Sequence, residues 1–235
     1  MAHKTAPDSE VDFVEKARGF WEKNNKLVTY LGAAVVLLFA GWIIYKEFVQ
    51  KPKIQKANDL VFVVQKYFGE FANGADSTKA DLAAKVLNGD GASAGALKII
   101  NNYGGTPAAN LCRYYAGACY LSLGQYDKAL SQLKHFDANG ATQIESRAYG
   151  MMGDASAELN KTSEALKYYK EAANVNSKDE YTSSEFLYRA AAYALSTGNN
   201  KESLSLFKKL RADYPNTEKG ADAVRYLARL GDLAD

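Results

Sequence analysis

The chain has 235 residues and a nearly balanced charge, with 29 Lys and Arg against 27 Asp and Glu for a net charge of +2. Such a balance argues against a dedicated nucleic-acid binder, which would need a strongly basic face. The sequence contains only 4 prolines but 16 tyrosines and much alanine. Because proline breaks helices and alanine favours them, the composition predicts an all-α fold.

The first part of the chain, residues 1–26, is a leader that carries both acidic and basic side chains. An apolar stripe at helical spacing predicts a short amphipathic helix here, capped by Asp8 or Ser9. Two interpretations remain open: the helix lies on a membrane surface or against a membrane partner, or it only positions the segment that follows. The stripe consists of Phe13, Val14, Ala17, Phe20 and Trp21.

The leader is followed by an uncharged run from Leu27 to Tyr45, LVTYLGAAVVLLFAGWIIY. A helix of this length covers roughly 28 Å, close to the ~30 Å hydrocarbon core of a bilayer. We therefore expect residues 27–49 to form a transmembrane anchor. A buried core helix would keep a polar stripe, and a cleavable signal peptide would have a shorter leader and a shorter apolar run. The aromatic residues expected at the membrane interface are Trp21, Tyr30, Trp42 and Tyr45.

Basic residues flank the apolar run equally, so the positive-inside rule alone does not set its orientation. Long domains cross membranes largely regardless of charge, whereas a short basic tail favours the cytoplasmic side. We therefore expect a cytoplasmic N-terminus and a large C-terminal part outside the cytoplasmic membrane. The flanking residues are Lys16, Arg18, Lys23 and Lys26 before the run, and Lys46, Lys51, Lys53 and Lys56 after it.

Residues 50–107 are expected to form a long linker helix and the first helices of a helical array. The linker helix shows an apolar face at helical spacing, and we expect it to continue the membrane helix after a bend near Pro52. Shorter helices are predicted at Ala80–Leu87 and Ala94–Tyr103. The pair Thr106-Pro107 is typical of a helix start.

Three later stretches of the sequence align at spacings of 36 and 38 residues. Each has a small residue, a turn residue seven positions later, then a second small residue and a bulky one. This order predicts a helix, a tight turn and an antiparallel helix packed against the first. The aligned positions are Gly117, Gly153 and Ala191, then Gly124, Asn160 and Gly198, then Ala129, Ala165 and Ser203, and finally Leu133, Tyr169 and Phe207.

This order of residues resembles the tetratricopeptide repeat (TPR), whose units run about 34 residues. The resemblance implies an α-solenoid of antiparallel helix pairs over residues 108–235. The repeats are expected at about 110–140, 146–177 and 184–215, with a capping helix at 216–235.

The order of the parts is similar to that of a narrower group, the bacterial envelope proteins of the YfgM type. The parts are a charged leader, one apolar span, a long amphipathic helix, NGDG and then NNYGGTPAANLCRYYAGACYLSLGQYDKAL. Those proteins are single-span TPR proteins that accompany the Sec translocon and periplasmic chaperones. The resemblance implies a bacterial inner-membrane protein with a periplasmic C-terminal domain that helps translocation or chaperone recruitment. The alternatives are a subunit or assembly factor of another envelope complex, in outer-membrane biogenesis or cell division, and an enzyme.

No group of residues predicts catalysis, a metal site or a cofactor. The two histidines, His3 and His135, form neither a metal cluster nor a catalytic triad. Cys112 and Cys119 lie about 10 Å apart along one helix, too far for a disulfide, and are expected to be buried packing residues. Gly89-Asp90-Gly91 imitates a dinucleotide-binding motif but follows no strand, so it is expected to be a turn. We expect a non-enzymatic protein with protein partners and with neither nucleic acid nor a small-molecule substrate.

The expected binding surface is the concave face of the solenoid, lined mainly by the first helix of each pair. An extended peptide or a partner helix would lie along it. The alternative that its tyrosines pack between helices remains open. The residues expected to be exposed there are Tyr114, Leu121, Arg147, Asp154, Glu158, Glu185 and Tyr188.

Overall fold

The computed structural model describes residues 8–232, with side chains described from residue 13 onward. His3, the side chains of Asp8 and Ser9, and the last residues of the predicted capping segment lie outside the described part. All regular elements of residues 8–232 are helices, which confirms the all-α prediction there. The chain divides into two compact units, Met1–Lys53 and Ile54–Asp235.

The first helix, α1, runs from Asp8 to Tyr45 and includes both the leader and the apolar run. A separate short leader helix was expected, but the described residues show no break between the two parts. The polar residues near the expected break lie within the helix without disrupting it. For example, the Asn24 side-chain amide donates to the Phe20 carbonyl at 2.9 Å. One helical stretch of the described chain, Phe13–Asn73, is long and apolar enough to cross a membrane, and its most apolar window is 0% buried.

A π-helical segment, Lys46–Gln50, follows α1 directly. The backbone N–H of Lys51 bonds to the Lys46 carbonyl, five residues back. Pro52 lies just beyond and has no N–H to continue the ladder, so a wider turn at this point fits the interrupted hydrogen bonding. Where a bend near Pro52 was expected, the structure has a π-helical turn.

The remaining helices follow one another along the chain, and most pack on the next helix in sequence. Thr106 caps the fifth helix as predicted, because its hydroxyl accepts from the Ala109 N–H at 3.2 Å and Pro107 occupies the first turn. The helices are α2 (Lys51–Asn73), α3 (Asp76–Asn88), α4 (Ala96–Asn102), α5 (Pro107–Ser122), α6 (Tyr126–Leu133), α7 (Thr142–Glu158), α8 (Thr162–Asn174), α9 (Glu180–Ser196), α10 (Asn200–Asp213) and α11 (Glu218–Arg229).

The turns within the pairs α5/α6, α7/α8 and α9/α10 lie where the sequence alignment placed them. Gly124, Asn160 and Gly198 have φ values of 68°, 57° and 78°. This left-handed conformation is open to glycine and, at lower cost than for most residues, to asparagine. The turn residues therefore reverse the chain between the two helices of each pair.

The aligned small residues Gly117, Gly153 and Ala191 lie where the two helices of each pair approach closely. A Cβ placed on Gly117 would lie 2.5 Å from Leu133, and one on Gly153 would lie 2.5 Å from Tyr169. In the third pair, the Ser203 hydroxyl donates to the Ala191 carbonyl at 2.9 Å. Backbone approach at these points allows the two helices of each pair to pack closely.

The cores of the helical array combine small, aliphatic and aromatic side chains, and Phe207 is the largest side chain that is fully buried. Cys112 and Cys119 are buried packing residues, as predicted. The last helix, α11, buries Ala223 and Leu227 against α9 and α10, whereas Val224 is 46% exposed.

Candidate protein-interaction surface

The predicted contact residues lie on the first helices of the three pairs, α5, α7 and α9. We call the surface that carries them the first-helix face. A Cβ added to Gly150 of α7 would lie 2.1 Å from the Phe186 ring of α9. The Phe186 side chain therefore packs directly against the backbone of α7. The first-helix face is defined by Tyr114, Leu121, Arg147, Asp154, Glu158, Glu185 and Tyr188.

Tyr114 does not have the exposure expected for a contact residue. It is 9% exposed and lies in an aromatic cluster with Phe68, Tyr115 and Phe136, at ring-centroid distances of 6.3, 6.1 and 5.3 Å. Burial accordingly raises the pKa of its hydroxyl. Tyr114 was expected to be exposed, and that expectation is wrong. Its ring, on α5, is covered by Phe68 of α2 and by Phe136 of the chain after α6.

Arg147 and Glu158 are exposed, and Leu121 is half-buried. Arg147 lies near Asp179, and its positive charge contributes to the low pKa of that carboxyl after the hydrogen bonds from Thr182. Glu158 lies close to the Tyr126 hydroxyl, whose pKa is raised first by burial and then by this carboxylate. Both charges lie at the surface, each beside a neighbouring polar side chain of the array.

Asp154 and Glu185 are half-buried members of a charged network on the same face. Asp154 accepts a hydrogen bond from the Tyr169 hydroxyl at 2.8 Å, and the Arg189 guanidinium lies 3.5 Å from its other oxygen. Arg189 also pairs with Glu185 at 2.9 Å, and Lys219 of α11 approaches Glu185 at 3.6 Å. The pKa of Asp154 is raised because burial outweighs the opposing effects of Tyr169 and Arg189. Arg189 was missed by sequence reasoning, although Glu185 and Arg189 are one helical turn apart, a spacing that favours ion pairs.

Tyr188 connects the last repeat to α11. Its hydroxyl lies 2.6 Å from that of Tyr226, the two rings are edge to face at 5.6 Å, and Lys219 lies 4.9 Å above the Tyr188 ring. The hydrogen bond with Tyr226, followed by burial, raises the pKa of Tyr188 to about 12. The half-buried ring is therefore fixed by the capping helix, with part of its edge left accessible.

The residues expected at a membrane interface, Trp21, Tyr30, Trp42 and Tyr45, are exposed by 53, 73, 54 and 56%. Lys46 lies 5.2 Å over the Trp42 ring, a cation–π arrangement at the end of the uncharged run. These side chains form an exposed aromatic set on α1.

Metal-binding groups are not assembled in residues 13–232. No group of three or more His, Cys, Asp and Glu side chains there has metal-binding geometry. His135 is exposed just after α6, with Nδ1 2.8 Å from the Ser131 carbonyl. Burial raises the pKa values of both Cys112 and Cys119 to about 12, which disfavours a reactive thiolate. Gly89 and Gly91 have positive φ and flank Asp90, whose carboxylate accepts from the Ala92 and Ser93 N–H groups in a turn.

Comparison with known proteins supports a TPR protein. A family model described as tetratricopeptide repeat matches residues 185–217. Two crystal structures of a Podosopora anserina protein, described as a kinesin light chain with nearly identical TPR-like repeats, superpose with TM-scores of 0.52 and 0.53. Each is 13% identical, and the alignments cover 74% of this chain and 85% and 86% of those chains. No curated protein matches the sequence.

The class defined by these findings is an all-helical array of TPR-like repeats. At this level of identity, the similarity to the solved structures concerns the fold alone. Repeats of this kind suggest a scaffold for protein–protein interactions.

Proposed function

We propose that this chain is a membrane-anchored scaffold of the bacterial cell envelope that binds protein partners through the first-helix face. The observation that carries the proposal is the combination of an exposed, uncharged run within α1 and a repeat array whose Arg147 and Glu158 are exposed. The bilayer would surround residues 27–49. The aromatic set Trp21, Tyr30, Trp42 and Tyr45 would lie at its two interfaces.

The proposed partners are components of the Sec translocon or envelope chaperones. The similarity of the sequence to YfgM-type proteins supports this choice, and the TPR-like fold supports binding of proteins in general. In this proposal the N-terminus lies in the cytoplasm and the repeat array lies in the periplasm.

Membrane anchoring and orientation are tested in intact cells. The native chain should stay in membranes after alkaline extraction, whereas Val35→Arg/Leu38→Arg should be released, because a charge at the bilayer centre costs about 2.5–3.5 kcal/mol per residue. An impermeant thiol reagent should label Ser205→Cys but not Ser9→Cys, since Ser205 is exposed on α10 of the array. Release of the native chain, or labelling at residue 9 alone, would contradict this arrangement.

The partner is tested by purifying the full chain from detergent-solubilised membranes. The variant Arg147→Glu/Glu158→Lys keeps the net charge and reverses both exposed charges of the first-helix face. It should lose translocon or chaperone components that co-purify with the native chain. Asp81→Lys/Lys98→Glu makes a matched charge exchange on exposed residues of α3 and α4 and should retain them. Recovery of outer-membrane biogenesis or cell-division components instead would favour the other envelope complexes.

A further inference from the structure

The second helix of the first repeat is unusually short. Helix α6 has 8 residues, whereas α8 and α10 have 13 and 14. The chain after α6 is held away from a helical path by Asn110 of α5. Its side-chain amide donates to the Asp137 carbonyl at 2.6 Å, and its oxygen accepts from the Asp137 N–H at 2.9 Å. The early end of α6 is therefore fixed by a double hydrogen bond.

This early end leaves a groove of about 490 Å³ between the chain after α6 and helices α7 and α8. Its apolar lining includes Phe136, Tyr149, Met152 and Tyr168. The Tyr149 and Tyr168 rings are half-buried and stack at a centroid distance of 6.4 Å. Lys134 Nζ lies 5.9 Å from the Tyr168 ring centroid, so the pair lines the groove with the Tyr149 ring and the rest of the Tyr168 ring partly accessible.

At the next junction of the array, the equivalent positions are buried. The repeat spacing of 38 residues places Leu187 and Leu206 where the first junction has Tyr149 and Tyr168. Both leucines are buried, at 3 and 6% exposure, in a cluster that includes Ala172 and Ala173 from the end of α8. The corresponding end of α6 does not exist, so the groove occupies the place of a missing helical turn.

The charges around the groove favour a basic partner. Glu145 and Glu171 line it, and neither makes an ion pair within the described residues. Both carboxylates lie near the Tyr149 hydroxyl, and after burial they are the largest causes of its raised pKa. The basic residues at the groove are Lys134, which pairs with Glu164 at 3.6 Å, and Lys167, one turn before Glu171 on α8.

We propose that this groove binds a short helical segment of another protein, with an apolar side chain against Tyr149 and Tyr168 and a Lys or Arg facing Glu145 and Glu171. The segment takes the place that the last turn of α8 fills at the next junction. It buries the aromatic pair and gives the two carboxylates a counterion.

This site goes beyond the proposed function because it lies away from the first-helix face. At about 100° per residue, Tyr149 and Met152 lie roughly 200° and 140° around α7 from Arg147. A segment in the groove and a partner on the first-helix face would thus contact opposite sides of α7. Two partners, or two parts of one partner, can bind at once.

The first test selects displayed random peptides on the full chain in detergent. Native chain should enrich peptides with an apolar residue one helical turn from a Lys or Arg. Glu145→Lys/Glu171→Lys should enrich Asp or Glu at that spacing and should bind the native-selected peptide about tenfold more weakly, the loss expected for one ion pair worth ~1.4 kcal/mol. Glu70→Lys/Asp81→Lys, with the same charge change on exposed residues of α2 and α3, should bind like the native chain. Identical peptides on native and Glu145→Lys/Glu171→Lys chains would overturn the proposal.

The second test identifies the occupant in membranes. A photoreactive residue at exposed Lys167 should crosslink to a segment of another protein that carries this apolar and basic pattern. A crosslink to lipid, or to a second copy of this chain, would overturn the proposal. Because the readout is at Lys167 rather than at Arg147 or Glu158, failure here leaves the first-helix face untouched, and the two proposals can be judged separately.

Discussion

At the scale of single residues, burial controls the chemistry of the thiols. Cys112 and Cys119 are both 0% exposed and have pKa values raised to about 12. We expect neither to react with an aromatic disulfide reagent in the folded chain near neutral pH, since the thiolate is the reactive form. Both should react once the chain is unfolded in denaturant. Rapid reaction of either thiol in the folded chain would contradict the packing of α5.

Asp179 gives a prediction that depends on pH. Its carboxylate caps α9 by accepting from the Thr182 N–H at 3.1 Å, and this hydrogen bond is the main reason that its pKa lies below the ordinary value of 3.8. A lowered pKa means that the charged form stabilises the folded state above that value and that this contribution is lost as the pH falls. The stability advantage of native chain over Asp179→Asn should therefore shrink on acidification.

The two variants of Asp179 separate the cap from the charge. Asparagine keeps the capping oxygen but lacks the charge, so near neutral pH Asp179→Asn should lower the free energy of unfolding by less than the ~1 kcal/mol expected for Asp179→Ala. Urea unfolding followed by circular dichroism measures both. Equal losses for the two variants would show that the cap contributes nothing.

Exposure of individual residues is also where prediction from sequence was weakest. Helical spacing placed Tyr114 on the right helix, but Phe68 and Phe136, which cover it, come from α2 and from the chain after α6. A periodic pattern identifies a face and does not say which distant segment packs on it. Arg147 and Glu158 were placed correctly on the surface because no other element covers their side of α7.

At the scale of elements, the close approach of paired helices depends on glycine. In Gly153→Ala the new methyl group would lie 2.5 Å from the buried Tyr169 ring, which is also held by its hydrogen bond to Asp154. We expect a loss of about 1–3 kcal/mol in the free energy of unfolding, as for other overpacked sites.

Gly69→Ala is the matched control for this change. Gly69 also lies inside a helix, but nothing lies within 4 Å of an added Cβ. The substitution should stabilise the chain by roughly 0.5–1 kcal/mol through helix propensity. Thermal or urea unfolding of the two variants should thus shift in opposite directions. A Gly153→Ala chain as stable as Gly69→Ala would disprove the predicted contact.

Element boundaries followed local chemistry where such chemistry was present. The turns at Gly124, Asn160 and Gly198 were predictable because their conformation suits few residues. The length of α6 was not, because its end depends on Asn110, which lies 27 residues before Asp137 in the sequence. Likewise, the side chains of α1 change from charged to apolar where the leader ends, but the backbone hydrogen bonds of the helix continue, so one helix spans both segments.

At the scale of the whole molecule, the two units differ in what they expose. The described part of α1 exposes large apolar and aromatic side chains, whereas the repeat array buries most of its own and exposes charges. A bilayer around α1 would cover its apolar side chains, and protein partners on the repeat array would pair with its exposed charges. The near-neutral total charge is therefore an average over parts with different proposed environments.

The central claim is that the first-helix face of the anchored chain contacts a protein partner. The most direct measurement places a photoreactive residue, one position at a time, at Arg147, Glu158 and Ser205 in the full chain in living cells and identifies the crosslinked proteins. We predict that Arg147 and Glu158 crosslink to the same translocon or envelope chaperone component and that Ser205, exposed on α10, does not. Absence of protein crosslinks at Arg147 and Glu158, or the same products at all three positions, would contradict the account.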